Sequence, residues 1–121
     1  MTFQDLSVRL QRFAAERDWD RFHSPKNLVM ALSVEVAELL EHFQWLTEDE
    51  SRDLPQSAHG AVAEEIADVQ IYLVRLADKL GIDILEAAEY KIRSNENKYP
   101  ASQVKGSSKK YTSYKKSDKV E

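Results

Sequence analysis

Between Ser33 and Asp68 the chain carries two pairs of acids at matching helical spacing, set among apolar neighbours. Glu35 and Glu38 lie in SVEVAELLEHFQW, and Glu65 and Asp68 lie in AEEIADVQIYL. Residues three apart on a helix share a face, so each pair presents two carboxylates side by side. At about 100° per residue, Glu35 and Glu38 fall on the side of Leu28, Ala31, Leu32 and Leu39. Glu65 and Asp68 fall with Ala61, Val62, Val69, Tyr72 and Leu76. A carboxylate taken out of water without a partner either costs several kcal/mol or takes up a proton. Two helices that each bring such a pair to an apolar face could face one another, and the four acids together call for a compensating cation.

The rest of the chain fits that frame. Its 121 residues suffice for one domain with a modest core, a size at which self-association adds useful burial. Only 3 Gly and 3 Pro favour long helices over many short strands, and no stretch alternates with period two, so an all-α fold is predicted. The absence of Cys excludes disulfides and thiolate metal sites. A net charge of −4 argues against a dedicated nucleic-acid binder, although the C-terminal stretch is basic. No apolar run is long enough to span a membrane, and MTFQDLSVRL lacks the apolar run of a secretory leader. A cytoplasmic protein is the expectation.

Four helices are predicted. The first runs from Thr2 or Phe3 to about Arg17, with Thr2 and Asp5 as a capping box and Phe3, Leu6, Leu10 and Phe13 as its stripe. A loop follows in which Trp19, Phe22 and His23 cluster. The second runs from Pro25, capped by Ser24, to about Trp45. Val29, Met30, Val36, Leu40 and Phe43 make it apolar most of the way round, as in a bundle core or a subunit interface. TEDESRDLPQSAHG reads as a loop. The third helix runs from about Ala58 to Leu80 and stops at Gly81; the fourth starts from Asp83 and ends before Pro100. Residues 1–100 thus form the all-α domain, and 101–121 form a basic, extended and partly ordered tail.

Four carboxylates with no thiolate suit a hard cation with oxygen ligands, most naturally Mg²⁺, with Mn²⁺ as a substitute. Mg²⁺ commonly shares its shell with substrate phosphates. A di-iron bundle needs Glu-x-x-His on two helices, and here the third positions are Glu38 and Asp68. Asp68, Tyr72, Arg75 and Lys79 form a row along the third helix, and Lys91, Asn95 and Lys98 repeat the spacing on the fourth. These cations can hold phosphates or simply face solvent. Trp19, Phe22, His23 and Trp45 can stack on a base, or pack as ordinary aromatics.

The blocks AAERDWDRFHSPKNL, EVAELLEHFQW, EEIADVQIYLVRLA, KIRSNENKYP and SSKKYT, in this order, resemble the MazG-type all-α nucleoside triphosphate pyrophosphohydrolases, in particular their dCTP pyrophosphatase branch. The resemblance implies a four-helix bundle that assembles into a homodimer or homotetramer. It implies hydrolysis of a (deoxy)nucleoside triphosphate between the α and β phosphates, giving monophosphate and pyrophosphate. Glu35, Glu38, Glu65 and Asp68 match the Mg²⁺ ligands. Trp19, His23, Trp45 and Tyr72 match positions around base and sugar; Lys79, Lys91 and Asn95 match positions near phosphates and sugar. Leu10 stands where animal members of the branch carry a pocket histidine, which loosens the expected preference for cytosine.

The expected function is therefore Mg²⁺-dependent pyrophosphohydrolysis, preferring dCTP or a modified relative, in nucleotide-pool house-cleaning. Burial among other carboxylates raises the pKa of at least one, so one acid can serve as general base; Glu38 and Glu65 are the candidates. The rival readings are a relative acting on dUTP, dATP or phosphoribosyl-ATP, and a non-catalytic helical interaction module whose basic tail touches nucleic acid.

Overall fold

Thr2 starts the first helix as anticipated: its hydroxyl accepts from the Asp5 N–H at 3.0 Å, and the Asp5 carboxylate accepts from the Thr2 N–H at 2.8 Å. The structure, a computed structural model, describes residues 1–106. Its helices are α1 (Phe3–Glu16), α2 (Pro25–Glu41), α3 (Glu48–Arg52), α4 (Gln56–Lys79), α5 (Ile84–Lys98) and α6 (Ala101–Val104), with a 3-10 turn at Asp20–Phe22. There is no strand among the described residues. The fold is all-helical, as the periodicity predicts.

Among the described residues six helices stand where four are expected, and each addition has a local cause. Thr47 caps a short α3 inside the predicted loop, in a second capping box with Glu50. Helix α4 starts at Gln56, directly after Pro55, and runs through Gly60. Helix α2 ends earlier than expected, at Glu41, and the chain continues to Trp45 in tighter turns (Phe43 N–H to Leu40 O, 2.9 Å). Residues Ala101–Val104, expected to be extended, form one helical turn on the Pro100 carbonyl, which accepts from Gln103 and Val104. The lysine-rich run KKYTSYKK lies outside the described residues.

Two helix ends use the same device. After α1, Asp18 takes a left-handed φ of 54°, and the Trp19 and Asp18 N–H groups bond back to Ala14 and Ala15. After α4, Gly81 at φ 67° lets Ile82 and Gly81 bond back to Ala77 and Asp78. Both are Schellman closures, which satisfy the last carbonyls of the helix and reverse the chain. The first also fixes where Trp19 sits; its ring meets Phe13 edge-on at 5.7 Å.

The chain divides into two compact units, Met1–Asp83 and the segment from Ile84 onward, which carries α5 and α6. Within the first unit α2 packs chiefly against α4, and α1 also lies on α4. Its core is Ala14, Leu28, Val62, Val74 and Ala77. Leu28, only 1% exposed, anchors the α2 side; full burial of a leucine contributes about 2 kcal/mol. On α1 the stripe is narrower than predicted: Leu6 and Leu10 are half-buried, Phe3 and Phe13 are largely exposed, and Ala14 makes the close contact. The opposite faces of α2 and α4 leave Val29, Met30, Val34, Val36, Leu40, Ile66 and Leu73 exposed.

Candidate metal centre

The packing of α2 on α4 decides where the acids go. Leu28, Ala31, Leu32 and Leu39 on α2 are buried or half-buried, as are Ala61, Val62, Val69, Tyr72 and Leu76 on α4. Those are the stripes on which the acid pairs lie. Glu35, Glu38, Glu65 and Asp68 are consequently all half-buried. Glu35, Glu38 and Glu65 each bring one carboxylate oxygen within 4.8 Å of the others. Asp68 is not in that triangle, but its charge acts on Glu35 and Glu65.

Two oxygens mark the cluster as incomplete. Glu35 Oε2 and Glu65 Oε2 are buried and have no hydrogen-bond partner. Buried polar atoms are nearly always satisfied, because an unmet acceptor forfeits its hydration. The electrostatics agree. Burial, with Glu38 and Asp68 nearby, pushes the Glu35 carboxyl up from 4.5 to about 7. Burial also raises Glu65, with Glu38 and Asp68 adding to the effect, while its contact with Glu35 pulls the other way. An all-oxygen donor set, anionic, converging and short of partners fits a hard divalent cation.

The remaining predicted site residues fall into four groups. Tyr72 lies one turn beyond Asp68 on α4 and is half-buried, as is His23. Trp19 is 46% exposed and Trp45 87% exposed, so neither ring is consumed by the core of this unit. Lys79 donates to Asp20 Oδ1 at 2.6 Å. Lys91 and Asn95 are exposed on α5, in the second unit.

Arg75 is the residue that the sequence misrepresents. The row through Asp68, Tyr72, Arg75 and Lys79 suggests a phosphate-facing cation, yet Arg75 is 4% exposed. Its Nε donates to His23 Nδ1 at 3.2 Å, its Nη1 to Asp78 Oδ2 at 3.1 Å, and its Nη2 to Asp20 Oδ1. Asp78 also accepts from Gln11 Nε2 at 2.9 Å, which ties α1 to the same point. Only the Arg75–Asp78 spacing of three hinted at this; the bonds to Asp20 and His23 join positions more than fifty residues apart.

Residues 30–113 match the model of the MazG-like family. The chain is 42% identical over 113 residues to mouse dCTP pyrophosphatase 1, and 44% identical over 113 residues to the human protein. Each match covers 92% of this chain and 66% of the relative, so the chain spans just under two thirds of their length. Its fold is similar to the crystal structure of a pyrophosphatase from Archaeoglobus fulgidus DSM 4304, with a TM-score of 0.76 and 46% identity over 80% of this chain and 91% of that one. The acid pairs, the helical fold and the family match agree: the chain belongs to the MazG-like family.

Proposed function

We propose that this protein hydrolyses (deoxy)nucleoside triphosphates to monophosphate and pyrophosphate, with dCTP or a modified dCTP preferred, as a nucleotide-pool house-cleaning enzyme of the cytoplasm. The observation that carries this reading is the carboxylate cluster on α2 and α4, with two buried oxygens lacking partners. Its relatives named dCTP pyrophosphatase 1 support the substrate class.

In this reading Glu35, Glu38, Glu65 and Asp68 hold Mg²⁺, with Mn²⁺ as a substitute. The cation, when bound, neutralises phosphate charge and lowers the pKa of water beside it. The acids do the rest. They fix where the triphosphate can lie, because its negative charge is tolerated only where their own charge is compensated. Glu65, made more basic by burial and by its acidic neighbours, is placed to take the proton of the attacking water, with Glu38 beside it as second candidate. Trp19, Trp45, Tyr72 and His23 supply stacking faces and hydrogen bonds for base and sugar, with Lys79 near the phosphates. The resemblance alone assigns Lys91 and Asn95 to phosphate and sugar.

Self-association belongs to the same proposal. Val29, Met30, Val34, Val36 and Leu40 are each at least 46% exposed on the outer side of α2. A second copy would bury that face in a homodimer or homotetramer.

The test is a substrate panel. Purified protein is incubated with Mg²⁺ and each nucleoside triphosphate, and the phosphorus products are separated. Monophosphate with pyrophosphate, strongest for dCTP, is the expected outcome. Diphosphate with orthophosphate, or no turnover, would contradict it.

A further inference from the structure

Arg75 is buried, charged and fully engaged, and nothing in the chemistry above uses it. All three nitrogens of its guanidinium have partners: His23 through Nε, Asp78 through Nη1 and Asp20 through Nη2. Lys79 shares the Asp20 carboxylate at 2.6 Å. Two cations therefore face two acids, and the buried guanidinium, set between Asp20 and Asp78, has no unmatched charge to offer a substrate phosphate. An arginine meant for phosphate would keep its planar fork exposed and unspent. Here the fork is turned to Asp20 and Asp78, and the Nε–H is aimed at a histidine.

That last bond has a chemical consequence. Arginine has no lone pair to offer, so His23 Nδ1 must be the acceptor and carry no proton. The neutral ring then bears its proton on Nε2, leaving a single donor on the side away from Arg75. Burial and the Arg75 charge also hold the His23 pKa below its ordinary value, with Lys79 acting in the same sense and Asp20 opposing. The arginine is bonded at both ends of the short segment that follows Trp19. It grips Asp20 at the start of the 3-10 turn and His23 at its end, and the His23 N–H closes that turn on the Asp20 carbonyl at 3.0 Å. Arg75 sits on α4 seven residues beyond Asp68, about 10 Å along the axis at 1.5 Å per residue. The Trp19–His23 segment is thereby pinned to the helix that carries half of the carboxylate cluster.

We propose that Arg75 is a positioning residue for nucleotide binding: it locks His23 as the Nε2–H tautomer, so that this ring presents a fixed donor to an oxygen of the nucleotide. The role rests on the assignment of His23 to the substrate pocket made above. Protonation of His23 would set two donors against each other across the Arg75 contact, so the device works with the ring neutral. The charged groups facing that ring are Arg75, Asp20 and Lys79.

The experiment has two parts. Imidazole nitrogen NMR on the free, nucleotide-free protein reads the tautomer directly. His23 should show protonated Nε2 and bare Nδ1, and should stay neutral below the pH at which an ordinary histidine titrates. In Arg75→Gln the two tautomers should mix and titration should return toward normal. Steady-state kinetics with dCTP and Mg²⁺ then form a double-mutant cycle. Arg75→Gln should raise KM about tenfold, the worth of one well-placed hydrogen bond, with a much smaller change in kcat. In a His23→Gln background, where the amide supplies a donor that needs no tautomer, the same substitution should raise KM less than about twofold. Additive effects in the cycle, or an Nδ1–H tautomer in the wild type, would overturn the proposal. Circular dichroism checks the fold of the variant, and the wild-type spectrum keeps the proposal falsifiable should Arg75→Gln fail to fold. A locked His23 in a protein that turns over no nucleotide would overturn the functional reading, and the binding role with it. An unlocked His23 in an active enzyme would overturn only the role of Arg75.

Discussion

Replacing Glu35 by Gln should stabilise the metal-free protein at alkaline pH and leave it unchanged in acid. Glutamine keeps the length and shape of the side chain and removes the charge. In the folded protein the Glu35 carboxyl is pushed up from 4.5 to about 7, first by burial and then by Glu38 and Asp68. In the unfolded chain it ionises at its ordinary value. Between those two pH values the folded state holds a proton that the unfolded state has lost, so wild-type stability falls as pH rises through the window. Below about pH 4.5 both states are protonated, and above about 7 the loss is complete. The Gln variant has no proton to lose. The magnitude follows from Glu38, whose nearest oxygen lies within 4.8 Å of that of Glu35. Two unit charges at that separation repel by about 3.5 kcal/mol at an effective dielectric of about 20, and by about 0.9 kcal/mol in bulk water. The cluster is only half-buried, so solvent screening favours the lower figure, about 1 kcal/mol. For a domain of this size that corresponds to about 4 °C in Tm. Thermal melts in EDTA at pH 8 and pH 5 are the assay. A gain of about 4 °C at pH 8 that all but vanishes at pH 5 is expected. A variant no more stable than wild type at pH 8 would show that these carboxylates do not repel, and the case for a compensating cation would lose its electrostatic half.

Mg²⁺ binding must displace the Glu35 proton. Affinity measured by calorimetry should therefore fall as pH drops below about 7, by up to about tenfold per pH unit, with proton uptake by the buffer. Glu38→Gln and Asp68→Asn should each abolish turnover while circular dichroism stays that of the wild type, because both side chains answer to the cation and not to the core. Leu28→Ala removes the most completely buried large side chain at the α2–α4 contact; urea unfolding should show a loss of about 3 kcal/mol.

How much of this is legible in the sequence depends on the range of the interaction. The 3.6-residue period predicts α1, α2 and α4, because their apolar stripes repeat over several turns, whereas α5 is legible from its bounds at Asp83 and Pro100. The acid pairs are readable for the same reason: Glu35 shares a stripe with Leu28 and Leu39, and Glu65 shares one with Val62 and Tyr72. That the two stripes meet follows from their need for burial. Helices α3 and α6 are too short to show a period; they rest on the Thr47–Glu50 box and the Pro100 carbonyl. The Arg75 cluster was hidden for a different reason. On its helix Arg75 looks like one more surface cation, and only the chain path through Asp18, Trp19 and Asp20 brings a carboxylate and an imidazole onto it. Lys79 in the same row also reads as a phosphate contact, and in the structure it bonds Asp20.

The central claim is that water attacks the α-phosphorus of a nucleoside triphosphate held against the Glu35–Glu38–Glu65 cluster. Single-turnover hydrolysis of dCTP with Mg²⁺ in water enriched in ¹⁸O tests it directly, since the label stays on the phosphorus that was attacked. Label found in the monophosphate, with unlabelled pyrophosphate, is the expected result. Label found in pyrophosphate would place the attack on the β-phosphorus and contradict the proposed reaction.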